Sequence, residues 1–108
     1  MDYASLISRM TGLGLTSYEA RAYVALTGRD SFTAAEVARL ATLPRQRIYD
    51  VLSSLVQKGL VSMRPGEVVK YAAAAPALAI ERLVEAHRRQ LPDLANDATA
   101  LIDQLTPA

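Results

Sequence analysis

The chain has 108 residues, a hydrophobic fraction of 51%, no cysteine, one histidine and a formal net charge of +1. This length carries one domain with room for an appendage, and the apolar share suffices for a small core without covalent staples. Disulfides, zinc–thiolate sites and thiol chemistry are excluded by the absence of cysteine, and no apolar run approaches the roughly 20 residues that span a bilayer.

The opening MDYASLISRM lacks a basic leader followed by an apolar stretch, so a soluble, cytoplasmic and nucleoid-associated protein is expected. Residues 3–10 form an amphipathic segment with Leu6, Ile7 and Met10 on one side, punctuated by Gly12 and Gly14. Thr16-Ser17-Tyr18-Glu19 is a capping box, in which the Thr hydroxyl accepts from the third helical amide and the Glu reaches back to the cap. A helix is predicted from there to about Thr27, with Ala22, Tyr23 and Leu26 inward and Gly28 as the stop. Ser31-Phe32 is a short extended link, and Thr33-Ala34-Ala35-Glu36 is a second capping box. The helix behind it runs to about Ala41, with Val37 and Leu40 inward.

Thr42-Leu43-Pro44 is a turn, with Pro44 as the first residue of a helix that ends at Lys58 before Gly59. At 100° per residue, Ile48, Val51, Leu52 and Leu55 form its apolar stripe. The opposite side presents Gln46, Tyr49, Asp50, Ser53 and Gln57, flanked by Arg45 and Arg47. Leu60–Arg64 and Glu67–Ala72 are strands, and Pro65-Gly66 fits the middle of a type II turn. Type II is a poor match to the twist of a tight hairpin, so a longer loop is an alternative. Ala72–Ala75 is a small-residue linker, and Pro76 opens the last helical region.

Helix, tight turn, helix and hairpin, from Thr33 to Tyr71, make a winged helix-turn-helix. The predicted fold class is mainly α (α+β), with a winged helix-turn-helix at residues 1–75 and a C-terminal helical dimerisation segment at 76–108. Charge is distributed to match. Residues 1–38 are net −1, residues 39–70 are net +4 from Arg39, Arg45, Arg47, Lys58, Arg64 and Lys70 against Asp50 and Glu67, and residues 71–108 are net −2. A positive patch on the candidate reading element is the electrostatic footprint of a phosphate binder.

In a helix-turn-helix the second helix lies in the major groove and reads bases mainly through its N-terminal residues. Gln and Arg each reach a base edge in a bidentate way, for about 1–3 kcal/mol of discrimination per pair. The candidate DNA-binding residues are therefore Arg45, Gln46, Arg47, Tyr49 and Ser53 on the reading helix, Thr33 and Arg39 on the preceding one, and Arg64 and Lys70 on the wing. Asp50 either accepts from a cytosine amino group or orients a neighbouring Arg, and also weighs toward a rival reading, a protein-interaction winged helix without DNA binding.

LGLTSYEARAYVAL (13–26) followed by LPRQRIYDVLSSLVQKGLV (43–61) resembles the N-terminal DNA-binding domain of TrmB-like transcriptional regulators, over roughly residues 10–90. The resemblance implies operator DNA bound by a dimer, Arg45, Gln46, Arg47 and Tyr49 at the DNA face, and Tyr71 closing the wing hairpin. Many members of that family continue into a sugar-binding effector domain. These 108 residues carry no sign of a sugar site, so no cofactor is expected and no small-molecule effector is evident.

From Ile80 the tail repeats apolar positions at alternating spacings of four and three: Ile80, Val84, His87, Leu91, Leu94, Ala98, Leu101 and Leu105, widened by Leu83 and Ile102. Such a heptad seam predicts homodimerisation through the C-terminal helices. Pro92 removes a backbone donor within it, so a kink near Gln90–Pro92 or a second helix opening at Pro92 is expected. His87 is read as a partly buried packing residue, with pH-sensitive pairing as the alternative.

Enzyme chemistry is not expected. One histidine and no cysteine leave no metal triad and no Cys–His pair, and a Ser-His-Asp arrangement would need His87 to leave its helical seam. Gly12-Leu13-Gly14 lacks the preceding strand and the third glycine of a dinucleotide loop.

Overall fold

The computed structural model describes residues 2–107 and contains five helices and one hairpin in the order α1 (Tyr3–Gly12), α2 (Ser17–Leu26), α3 (Ala34–Leu40), α4 (Arg45–Gln57), β1 (Val61–Arg64), β2 (Lys70–Ala73) and α5 (Pro76–Leu105). Both capping boxes form. Thr16 Oγ1 accepts from the Glu19 amide while Glu19 Oε1 accepts from the Thr16 amide, and Thr33 and Glu36 repeat the exchange at α3. The stripe on α4 is buried as its periodicity requires: Ile48, Val51, Leu52 and Leu55 sit against Ala20, Tyr23, Leu26, Val37 and Leu60 in one core.

β1 and β2 pair antiparallel, with Val61 opposite Ala73 and Arg64 opposite Lys70. The extended link contributes a third edge, because the Phe32 amide donates to the Tyr71 carbonyl at 2.9 Å and Tyr71 returns the bond at 2.7 Å. Tyr71 thus joins the wing to the helical core, and both it and Phe32 are buried.

Glu19 makes a tie that the sequence pattern did not reveal. Its carboxylate, only 3% exposed, accepts from Ser54 Oγ at 2.5 Å and from Lys58 Nζ at 2.8 and 2.9 Å, so the cap of α2 also anchors the C-terminal end of α4. Burial pushes this carboxyl up. Hydrogen bonds from Lys58, Ser54 and the Thr16 amide, with the Lys58 charge, outweigh burial and hold it below the usual range. Glu36 is held at about 2 by the Thr33 amide and by Arg29.

Five expectations are corrected. Leu40 is 54% exposed, because the inner arc of the short α3 is Ala34, Val37, Ala38 and Ala41, which leaves Leu40 about 110° round the helix. Pro44 is the N-cap of α4, with φ −61° and ψ 138°, rather than its first helical residue. The type II turn does not form. Gly66 lacks the positive φ it requires, and a five-residue loop, 65–69, leaves Val68 and Val69 exposed ahead of a strand that starts only at Lys70. The linker is shorter than expected, since Ala72 and Ala73 belong to β2. Finally, no second helix opens at Pro92, because α5 is one helix from Pro76 to Leu105 with Pro92 inside it. Pro76 takes the N-terminal place that proline favours, while Pro92 costs one ladder bond without ending the helix.

Ala79 and Leu83 anchor the first turns of α5 in the core. Beyond Val84 every described residue is exposed, His87 included, so His87 is not a packing residue within a single chain. The helix projects away. The radius of gyration is 17.1 Å, against about 13 Å for a compact chain of this length.

The turn between α3 and α4 is a Schellman motif: the Leu43 amide donates to the Ala38 carbonyl at 2.8 Å, and Thr42 occupies the left-handed position with φ 55°. A β-branched residue there carries a cost of about 1–2 kcal/mol. Arg21 holds the turn from outside, its Nη2 donating to the Ala41 and Thr42 carbonyls at 2.7 and 2.6 Å. Thr42→Gly removes the strain at the expense of some chain entropy, so unfolding in urea should show a stabilisation of about 0.5–1 kcal/mol. A loss of stability would remove the strain assignment.

Acid should act through the two capping carboxylates. Their folded pKa values lie below the unfolded value of about 4.3, so their stabilisation is complete above about pH 4.5 and drains away as pH falls toward about 2. Urea midpoints should be level from about pH 7 to 5 and decline below, with a shallower decline in Glu19→Gln. An identical decline in that variant would show that Glu19 is not an acid-labile tie.

Candidate nucleic-acid interface

Burial of the aliphatic stripe of α4 turns its other side outward. Arg45, Gln46, Arg47, Tyr49, Asp50, Ser53 and Gln57 are all exposed, and Tyr49 retains 64% of its surface. No side chain caps the start of α4; the Arg47 amide donates to the Pro44 carbonyl at 3.0 Å, which leaves the Arg45 and Gln46 amides and the positive end of the dipole open.

Arg39 and Arg45 line one groove together with Ala35, Glu36, Ala38 and Leu43. Arg39 is exposed on the last turn of α3. Thr33 is half-buried and its hydroxyl oxygen serves as the α3 cap, which leaves only its O–H proton for another partner. On the wing, Arg64 and Lys70 face each other at the mouth of the loop, both exposed. Like charges directly opposite on a hairpin repel, so this pair gains from an anion between or beside them.

One residue absent from the sequence-based set belongs to this surface. The Tyr18 ring, at the start of α2, has the Arg47 guanidinium 5.6 Å from its centroid and that of Arg21 at 5.7 Å. Tyr18 therefore supports a side chain of the reading helix from a neighbouring element. Its only signal in the sequence was its place inside a capping box, which pointed to local structure. Lys58 moves the other way: counted in the basic patch, it is committed to Glu19. The cations left for a ligand are Arg39, Arg45, Arg47, Arg64 and Lys70, none of them in an ion pair.

The expected dimerisation residues do not gather into a site within one chain. Val84 is half-buried, whereas Ile80, His87, Leu91, Leu94, Leu101 and Leu105 are exposed on the helix. Among the described residues, no group of His, Cys, Asp and Glu is placed to hold a metal ion, and no helix is long and apolar enough to cross a membrane.

Comparison with known proteins agrees with this geometry. The solved structure of TrmBL2, an archaeal chromatin protein reported with a novel mode of DNA binding, superposes with a TM-score of 0.79 at 30% identity, covering 96% of this chain and 40% of that one. A MarR-family regulator from Silicibacter pomeroyi shares the fold, with a TM-score of 0.61 at 17% identity over 97% of this chain and 82% of its own. In sequence, the DNA-binding HTH-type transcriptional repressor TrmBL2 of Thermococcus kodakarensis is 46% identical over 71 residues, which is 66% of this chain and 27% of that protein. This chain thus spans about a quarter of the length of that curated relative. The model of the family of sugar-specific transcriptional regulators, TrmB, matches residues 10–77, more than half of the chain, and the chain belongs to that family.

Proposed function

We propose that this chain binds double-stranded DNA as a transcriptional regulator, reads sequence through α4, and does so as a homodimer on a pseudo-palindromic site. The observation that carries the reading is the exposed polar side of α4, with Arg45, Gln46, Arg47 and Tyr49 grouped at its uncapped N-terminal end. Arg45, Gln46 and Arg47 have the chemistry to meet base edges, and Tyr49 and Ser53 that to meet bases or phosphates. Arg39, the Thr33 hydroxyl and the wing pair Arg64 and Lys70 lie to either side of the reading helix in the chain and act on the backbone. A two-fold dimer presents two reading helices and hence two half-sites. The DNA-binding names of the TrmBL2 relatives point the same way.

With about six to eight phosphates neutralised, log K should fall against log salt with a slope of about −5 to −7. In Arg45→Ala combined with Arg47→Ala, DNA affinity should fall at least about tenfold while the melting temperature moves little, because both side chains face solvent. Selection of duplexes from a random pool reads out the half-sites. A folded protein with no duplex binding at about 50 mM salt would favour the protein-docking reading instead.

A further inference from the structure

We infer that α5 pairs with a second copy of this chain in an antiparallel register centred between Pro92 and Asp93. This rests on the homodimer reading above and specifies its geometry. Every described residue after Val84 is exposed, including Leu91, Leu94, Leu101, Ile102 and Leu105. Helices in proteins draw most of their stability from packing an amphipathic face, and Pro92 removes a ladder bond from the exposed part of this one. Something covers that stripe.

The occupant follows from the seam itself. Reversed on itself, the stripe pairs Ile80 with Leu105, Val84 with Leu101, His87 with Ala98, and Leu91 with Leu94 of the other copy. No seam position is left over, and the imidazole, the one ring in the stripe, falls opposite the smallest side chain in it. A parallel pair puts each residue on its own copy: two His87 rings share one layer, and two Ala98 methyls leave another underfilled. Charge decides in the same direction. Residues 76–90 are net +1 (Arg82, Arg88 and Arg89 against Glu81 and Glu85), whereas residues 91–105 carry Asp93, Asp97 and Asp103 and are net −3. Antiparallel pairing lays the basic half on the acidic half and opposes the two helix dipoles, while parallel pairing sets the three aspartates beside three more. At 1.5 Å per residue, the two Pro76 positions then stand about 50 Å apart along the pair, with one reading head at each end.

The chain contains no cysteine, so introduced thiols report pairing without background. Sedimentation of the unaltered chain should give a dimer; a monomer would remove the homodimer reading itself. Under a mild oxidant, His87→Cys and Ala98→Cys should each stay uncross-linked alone and form a covalent heterodimer when mixed and allowed to exchange. Val84→Cys with Leu101→Cys repeats the test at another layer should the first pair lose helicity by circular dichroism. A dimer in which Ala98→Cys cross-links to itself is parallel, and a dimer in which neither mixed pair cross-links has another register. Either result overturns the inference while leaving the dimer intact.

A separate observation carries a second inference. The geometry points to Tyr18 as a positioning residue for the reading helix, acting through Arg47. The ring is half-buried at the start of α2 and lies 5.6 Å from the Arg47 guanidinium, which extends from the exposed side of α4. A planar cation beside an aromatic ring keeps fewer rotamers and stays charged, so Arg47 meets DNA already oriented. Tyr18→Leu, which keeps an apolar side chain but no π face, should lose affinity and base discrimination, and Tyr18→Phe should restore both. In the Arg47→Ala background, Tyr18→Leu should have no further effect on binding. Failure of Phe to restore binding would assign the effect to the hydroxyl, and an undiminished loss in the Arg47→Ala background would show that the ring does not act through Arg47; each overturns the inference.

Discussion

The carboxylate of Glu19 is the point at which α4 is fixed to the rest of the domain. It closes the cap of α2 through the Thr16 amide, and in the same position it receives Ser54 and Lys58 from the last turns of α4. The hydrophobic stripe of α4 determines which side faces the core, but an aliphatic interface resists rotation and sliding weakly. Three hydrogen bonds to one buried carboxylate are directional and fix both. The opposite end of α4 is fixed by Arg21, which bonds the two carbonyls of the turn that precedes it. Both anchors leave from α2, two residues apart. The orientation of α4 is therefore set from one short helix, by two side chains that leave it about 200° apart round its axis, and the outward side of α4 is left clear of polar obligations to its own chain.

Much of this was legible in the sequence because it is local. Each capping box announces a helix start through a pair of residues three apart, and each was found where expected. The stripe on α4 spans two full turns, so its buried side was determined by spacing alone. The misreadings have a common origin in contacts between distant segments. Leu40 reads as a core residue by composition, yet Ala38 and Ala41 take the inner positions because α3 packs close against α4, where small side chains fit. Lys58 reads as a free cation until Glu19, 39 residues away, is brought to it. The wing loop takes the longer form that the sequence left open beside the type II turn, because the register of β1 and β2 ends at Arg64 opposite Lys70. Of the candidate interface, the exposed reading residues were visible in the sequence, whereas Tyr18 became visible only once α2 and α4 were adjacent.

The wing is built to tolerate a repulsion it does not resolve. Arg64 and Lys70 oppose each other across the last rung of the hairpin, where neutral residues would be more stable. The hairpin persists because its other end is held twice over, by the Phe32–Tyr71 bridge and by the Ala74 amide, which donates to the Leu60 carbonyl at 2.8 Å. Stability resides at the base of the wing and charge at its tip, an arrangement that makes sense if the tip completes its electrostatics with an external anion.

The tail is coupled to the same machinery. Tyr23 donates to the Ala74 carbonyl at 2.7 Å, which fixes the segment entering α5 to α2. Arg82, on the second turn of α5, donates to the carbonyl of Gly59, the left-handed residue that ends α4 with φ 76°. A Cβ at position 59 would come within 3.1 Å of Arg82 Nη1, so the guanidinium would have to give by a few tenths of an ångström, and the left-handed backbone there favours glycine in its own right. The start of α5 is therefore bonded to the end of α4 and, through Ala79 and Leu83, packed into the core that α4 shares. A displacement of the tail relative to a partner cannot be absorbed at a loose hinge between tail and head. It would be passed to α4 as a rotation of the whole head, so in the proposed homodimer the angle at which two tails cross would also set the angle between the two copies of α4.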